Sequence, residues 1–147
     1  METITGYMQR DHEEIDRILE RAHAAARAGD ATTLARSAHE FAERLERHIE
    51  MEEQVLFPAF EERTGMASAG PSVQMREEHV QMQEIVRQLR STAAVHDAAG
   101  FQRAAQALVE VLVPHNAKEE QMMYPMLDDA MGADGASLLS DVKAMAA

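Results

Sequence analysis

Four histidines and two glutamates recur in this chain at one fixed offset, in a pattern that could bind metal. His12 and His79 are 67 residues apart, as are His48 and His115, so the interval within each half is 36 residues. His48 is followed by Glu52 and His115 by Glu119. Residues i and i+4 lie about 40° apart round an α-helix, which makes each His-x-x-x-Glu a chelating pair. The correspondence extends further: His48, Glu52, Glu53, Gln54 and Pro58 align with His115, Glu119, Glu120, Gln121 and Pro125. A buried carboxylate is costly unless it is paired or coordinates a metal. Imidazole nitrogen with bridging carboxylate suits iron or manganese, with zinc possible. The duplication points to one shared metal site inside a four-helix bundle.

Taken singly, these features carry little weight. A lone histidine on an apolar stripe is more often a satisfied core residue than a ligand, and an isolated His-x-x-x-Glu arises by chance. Six residues in register across a duplicated unit form a specific pattern. The remaining histidines fall outside it. His39 lies half a turn round the helix from His48, His23 is about 16 Å along the helix from His12, and His96 sits at a helix end. All three are expected at the surface. The methionines follow helical spacing and read as core filling rather than a copper site. Glu-x-x-His occurs at Glu20–His23 without the second copy that ferritin-like sites need. His-Glu-x-x-His and Gly-rich phosphate loops are absent.

The elements that must position these side chains follow from periodicity and breaks. A first helix is expected from about Thr3 to Ala28, ending at Gly29. A second runs from about Ala31, capped by Asp30, into Glu61–Thr64. The loop to Pro71 separates the halves. A third helix starts near Pro71–Ser72 and fades around His96–Gly100, and a fourth runs from Phe101 to about Met131. The tail Ala136–Met145 is expected to form a short fifth helix on the outside. The fold class is therefore all-α, an up-down-up-down four-helix bundle. One domain spans 1–147, with the internal repeat at 1–64 and 71–131.

The inward seams read Ile4, Met8, Ile15 and Leu19 with His12, then Phe41, Leu45, Val55 and Leu56 with His48 and Glu52. In the second half they read Met75, Met82, Val86 and Leu89 with His79, then Leu108, Leu112, Met122 and Met126 with His115 and Glu119. No Lys or Arg shares these seams with Glu52 and Glu119. His12 and His48 are each 18 residues from Asp30, so in an antiparallel pair they stand at one height, about 27 Å from the turn.

Composition bounds the rest. With 147 residues, no Trp, two Tyr and four Phe, and abundant Ala, Leu, Met, Glu and Arg, the chain favours helix over sheet. A formal charge of −12 argues against nucleic acid or an anionic membrane as partner. The absence of Cys removes disulfides, thiolate ligands and iron–sulfur clusters. No apolar run approaches a membrane span, and the first residues lack a signal-peptide pattern, so a cytoplasmic location is expected.

Asp11-His12-Glu-Glu-Ile15, His48-x-x-x-Glu52-Glu53-x-x-Leu56-Phe57-Pro58, Glu78-His79 and His115-x-x-x-Glu119-Glu120-x-x-x-Tyr124-Pro125 together resemble the hemerythrin family, in particular its hemerythrin-like HHE cation-binding domains. The resemblance covers about Tyr7 to Met131. It implies a non-haem diiron centre, with His12, His48, His79 and His115 as terminal ligands and Glu52 and Glu119 bridging two iron ions. Two departures stand out. Oxygen carriers of the family have His-x-x-x-His on the third helix, where this chain has Gln83. They also place the last carboxylate five residues after its histidine, at Glu120 here, whereas the repeat favours Glu119. Asp16, the repeat equivalent of Gln83, is a further candidate ligand or an acceptor for a ring N–H. The plain alternative for both is a polar residue at the seam edge, and for Gln83 that reading is preferred to direct ligation. A neutral amide at Gln83 would leave one metal position open to O2, NO or peroxide. The expected function is binding or sensing of O2, NO or iron. The alternatives are a diiron enzyme acting on peroxide or nitric oxide, and a metal-stabilised protein-interaction module. The oligomeric state is not legible.

Overall fold

The computed structural model describes residues 2–147, and no strand occurs among the described residues. The first helix is Ile4–Ala28. It opens where Thr3 Oγ1 accepts the Gly6 N–H at 3.0 Å, and closes on Gly29, whose φ of 70° suits a residue without Cβ. Asp30 then caps the second helix by accepting the Thr33 N–H at 3.1 Å. The second helix covers residues 31–64 in three parts, Ala31–Met51, a π turn Glu52–Leu56, and Phe57–Thr64. The third helix, Pro71–Ala94, begins on a proline whose missing N–H costs nothing at that position.

The fourth helix repeats the second. It covers residues 98–131 as Ala98–Lys118, a π turn Glu119–Met123, and Tyr124–Met131. It begins three residues before the expected Phe101, because Asp97 caps it through the Gly100 N–H at 2.9 Å. Asp97 is the repeat counterpart of Asp30, so that signal was present in the sequence. His96 takes the place of Gly29 and adopts the left-handed conformation with φ 59°.

Both π turns end immediately before an aromatic-proline step, Phe57-Pro58 and Tyr124-Pro125. Proline cannot donate the bond to the carbonyl four residues back, and its ring crowds that carbonyl. The widened turn accommodates both effects. The extra residue moves the downstream register by one. Met123 and Leu127 are therefore buried, whereas Met122 is exposed and Met126 only half-buried. This corrects the expected seam of the fourth helix. In the second helix Val55 is likewise half-buried while Leu56 and Phe60 are buried.

Each long helix packs against its sequence neighbours, and the fourth also packs against the first. The result is an up-down-up-down bundle. Its apolar core comes in two clusters. One holds Ile15, Ile18, Leu34, Phe41, Leu89, Phe101 and Leu108 on the side of the Asp30 and Asp97 turns. The other holds Ile4, Met8, Met51, Phe57, Phe60, Met75, Tyr124 and Leu127. The fifth helix, Gly135–Met145, buries Leu138, Leu139 and Val142 in this second cluster and covers the π turn at Glu52. Between the clusters lies a buried polar layer. Outside it, His39 and His96 are exposed as expected, while His23 is half-buried with its ring centroid 6.3 Å from that of Phe101.

Candidate metal centre

All six sequence-predicted side chains meet in the polar layer, and none is more than 4% exposed. The level placement expected of the histidines is visible in the rings. His12 and His48 have centroids 4.5 Å apart, and His79 and His115 5.0 Å apart. The donor atoms form two overlapping groups in which all atoms lie within 4.8 Å of one another. One contains Glu52, His79, His115 and Glu119, the other His12, His48 and Glu119. Glu119 belongs to both. Its Oε1 lies 3.1 Å from His12 Nε2 and its Oε2 3.2 Å from His115 Nε2. Glu52 Oε1 reaches from His79 Nε2 at 3.0 Å toward His48 Nε2 at 3.7 Å.

The fit to a cation shows in the atoms left unbonded. Glu52 Oε1, His79 Nε2 and Glu119 Oε2 are buried without a hydrogen bond, although their distances bring them together. Unpartnered buried polar atoms are rare and costly. Here they converge from three helices, and carboxylate oxygen with imidazole nitrogen is a donor set for a transition-metal dication. Neither Glu52 nor Glu119 pairs with any Lys or Arg among the described residues.

The opposite edge of each imidazole is also specified. His48 Nδ1 donates to Asp11 at 2.8 Å, His115 Nδ1 to Glu78 at 2.8 Å, His79 Nδ1 to Glu53 at 2.6 Å, and His12 Nδ1 to Glu120 at 2.7 Å. Asp11 and Glu78 are repeat counterparts, as are Glu53 and Glu120. These carboxylates hold the N–H at Nδ1, so that each Nε2 faces the centre, and they strengthen imidazole as a donor. Arg44 holds Asp11 at 2.9 Å and Lys118 holds Glu78. The sequence motifs contain these four acids but do not by themselves assign this role to them. The available signal was that each stands next to a histidine or glutamate of the pattern. Asp16, considered for such a role, is exposed and belongs to neither group.

Gln83 is also exposed. It lines a cleft of about 320 Å³ between the second and third helices with Leu45, Glu46, Ile49, Glu50, Val86, Arg87 and Arg90. The expectation that it marks an open metal position is corrected, because the side chain faces out of the bundle. The residue that does enter the layer is Tyr124, which in the sequence is no more than part of the His115 motif. It is fully buried, and its hydroxyl donates to Glu52 Oε2 at 2.7 Å or Glu119 Oε1 at 3.0 Å.

Without metal, protons balance the charges. Burial lowers the proton affinity of His12, but the bond to Glu119 and the nearby carboxylates outweigh it and raise the pKa to about 9. His79 is raised to about 9 against burial by Glu52 and Glu53. His48 is lowered by its complete burial. Burial and the charge of Glu119 raise Glu52. Glu119 is lowered despite burial by the neighbouring Glu52, His115 and His12. Asp11, despite burial, is lowered to about 2 by His48 and Arg44. A cation entering this layer would replace several of these protons.

No helix among the described residues is long and apolar enough to cross a membrane. Comparison with curated proteins and with solved structures gives no match. The Hemerythrin HHE cation binding domain family matches residues 3–127, which takes in every residue of the polar layer. The buried layer of histidine and glutamate is thus what the family description leads one to expect, and the chain belongs to the hemerythrin HHE cation-binding domain family.

Proposed function

We propose that this protein holds a carboxylate-bridged pair of iron ions and uses it to bind or sense O2, NO or iron. His12, His48, His79 and His115 would be terminal ligands, and Glu52 and Glu119 would bridge. The observation that carries this reading is the sharing of Glu119 by two donor groups, one on each side of the layer. Two groups with a common carboxylate suit two adjacent ions better than one. A bound ferrous pair would supply electrons and a coordination position for a small ligand.

The chain's own residues would tune that pair in two ways. The four carboxylates on the Nδ1 edges add negative charge behind each imidazole, which favours the more highly charged ferric state. That bias supports sensing or stoichiometric reaction over reversible oxygen carriage. The apolar clusters on either side leave the six side chains of the layer buried.

The test is iron content with an absorption spectrum, on protein purified and reconstituted with ferrous iron under anaerobic conditions. About two irons per chain are expected, with a spectral change on adding O2 or NO. One iron or none would overturn the diiron reading. Two irons inert to both gases would overturn the ligand-binding part of it.

A further inference from the structure

We propose that Tyr124 is itself a metal ligand, so that the two ions of the pair are chemically unequal. This rests on the diiron reading and assigns a donor that the duplicated motif does not predict. The two donor groups differ in size, one having four residues and the other only His12, His48 and Glu119. The Tyr124 hydroxyl stands beside all three members of the smaller group. It lies 3.4 Å from His12 Nε2, 3.3 Å from His48 Nε2 and 3.0 Å from Glu119 Oε1. Neighbouring donors round a cation with bonds of about 2.1 Å keep separations of roughly 3.0–3.4 Å. A phenol has one proton to give, and these four contacts, counting Glu52, exceed what one O–H can satisfy.

The other half of the repeat is a built-in comparison. The counterpart of Tyr124 is Phe57, 67 residues earlier, whose ring stacks on His79 at 5.6 Å and 16° and offers no donor atom. Where the aromatic residue lacks a hydroxyl the donor group already has four members. Where it has one, the group has three, and the phenol makes the fourth. The π turn brings this about. In an α-helix Glu119 and Tyr124, five residues apart, would point roughly 140° apart. The wider turn Glu119–Met123 brings both into one layer.

Coordination would break the phenolic O–H bond and form an oxygen–metal bond. The proton is released to water and no electrons are transferred. The chemical class of metal that this donor selects is a hard, highly charged ion such as ferric iron.

The experiment uses the full chain reconstituted with ferrous iron and then oxidised by ferricyanide. The wild-type ferric protein should show a visible phenolate-to-iron charge-transfer band, with tyrosine ring modes in resonance Raman spectra excited within it. Tyr124→Phe should still bind about two irons but lose the band entirely. Tyr7→Phe should keep it, since Tyr7 is the other tyrosine and its ring lies beneath Lys143. Ring-deuterated tyrosine in the wild-type chain should shift the Raman modes, which tests the ligand without any substitution. Two irons with no such band, or a band that survives in Tyr124→Phe, would overturn the ligand assignment and leave the diiron reading intact. Wild-type protein that takes up no iron would overturn both.

Discussion

The Asp11 carboxylate lies 2.8 Å from Nδ1 of His48 on the neighbouring helix, and Arg44 fixes it there from the other side. Asp11 therefore sets which nitrogen of His48 faces the metal layer. Asp11→Asn keeps the shape but removes the charge. Residues of this kind are worth about 10- to 100-fold in metal affinity, and that loss is expected here in a chelator competition assay. Far-UV circular dichroism should be unchanged. Wild-type affinity in Asp11→Asn would show that the contact does not orient His48.

Glu119 joins both donor groups and Glu52 mainly one. Glu119→Ala should therefore retain less than one iron per chain, and Glu52→Ala should also lose the pair. His39→Ala should match wild type, because His39 is 60% exposed and, among the described residues, pairs only with Glu43. Full metal content in Glu119→Ala would remove that residue from the site.

The metal-free protein should lose stability as pH rises from 7 to about 9.5. His12 and His79 have folded pKa values of about 9 against an ordinary value of 6.5, so the folded state holds more protons in this interval. Their contribution is complete below about 6.5 and is lost as pH passes 9. His48, lowered by burial, acts only below 6.5. Metal must displace the same protons, so its affinity should rise over the same interval. Urea midpoints at several pH values, with and without chelator, measure both trends. Apoprotein stability that is flat or rising from pH 7 to 9.5 would contradict the proton assignment.

Metal binding to the folded state should raise thermal stability. Saturation at 100 times the dissociation constant corresponds to about 2.7 kcal/mol. Calorimetry of chelator-treated and reconstituted protein should show that difference. Equal melting temperatures would mean that the metal does not select the folded bundle.

His96 occupies, with φ 59°, the left-handed position that Gly29 fills in the first half. A residue with a Cβ costs about 1 kcal/mol or more there. His96→Gly should stabilise the protein by roughly that amount, with no change in metal content. Asp97→Ala should cost about 1 kcal/mol through loss of the helix cap. Destabilisation by His96→Gly would show that the imidazole makes up for the strain.

The offset of 67 residues, the two His-x-x-x-Glu pairs and the apolar seams determined the bundle and the six residues that share its layer. Those features are local or periodic. A helix places i and i+4 on one face wherever it packs, and equal arms about Asp30 bring His12 level with His48. What periodicity could not carry was a change of period. The π turns before Pro58 and Pro125 insert one residue, which turns Met122 out and brings Met123 and Tyr124 in. Gln83 shows the same limit on a regular helix. It lies one turn from His79 on the same helix, yet it faces the cleft beside Arg87 and Arg90. The partners of the imidazoles depended on packing as well, because each Nδ1 finds its carboxylate on a different helix. Sequence spacing sets the direction of a side chain on its own helix. Which group it meets depends on how neighbouring helices are rotated, and burial of the two apolar clusters decides that rotation.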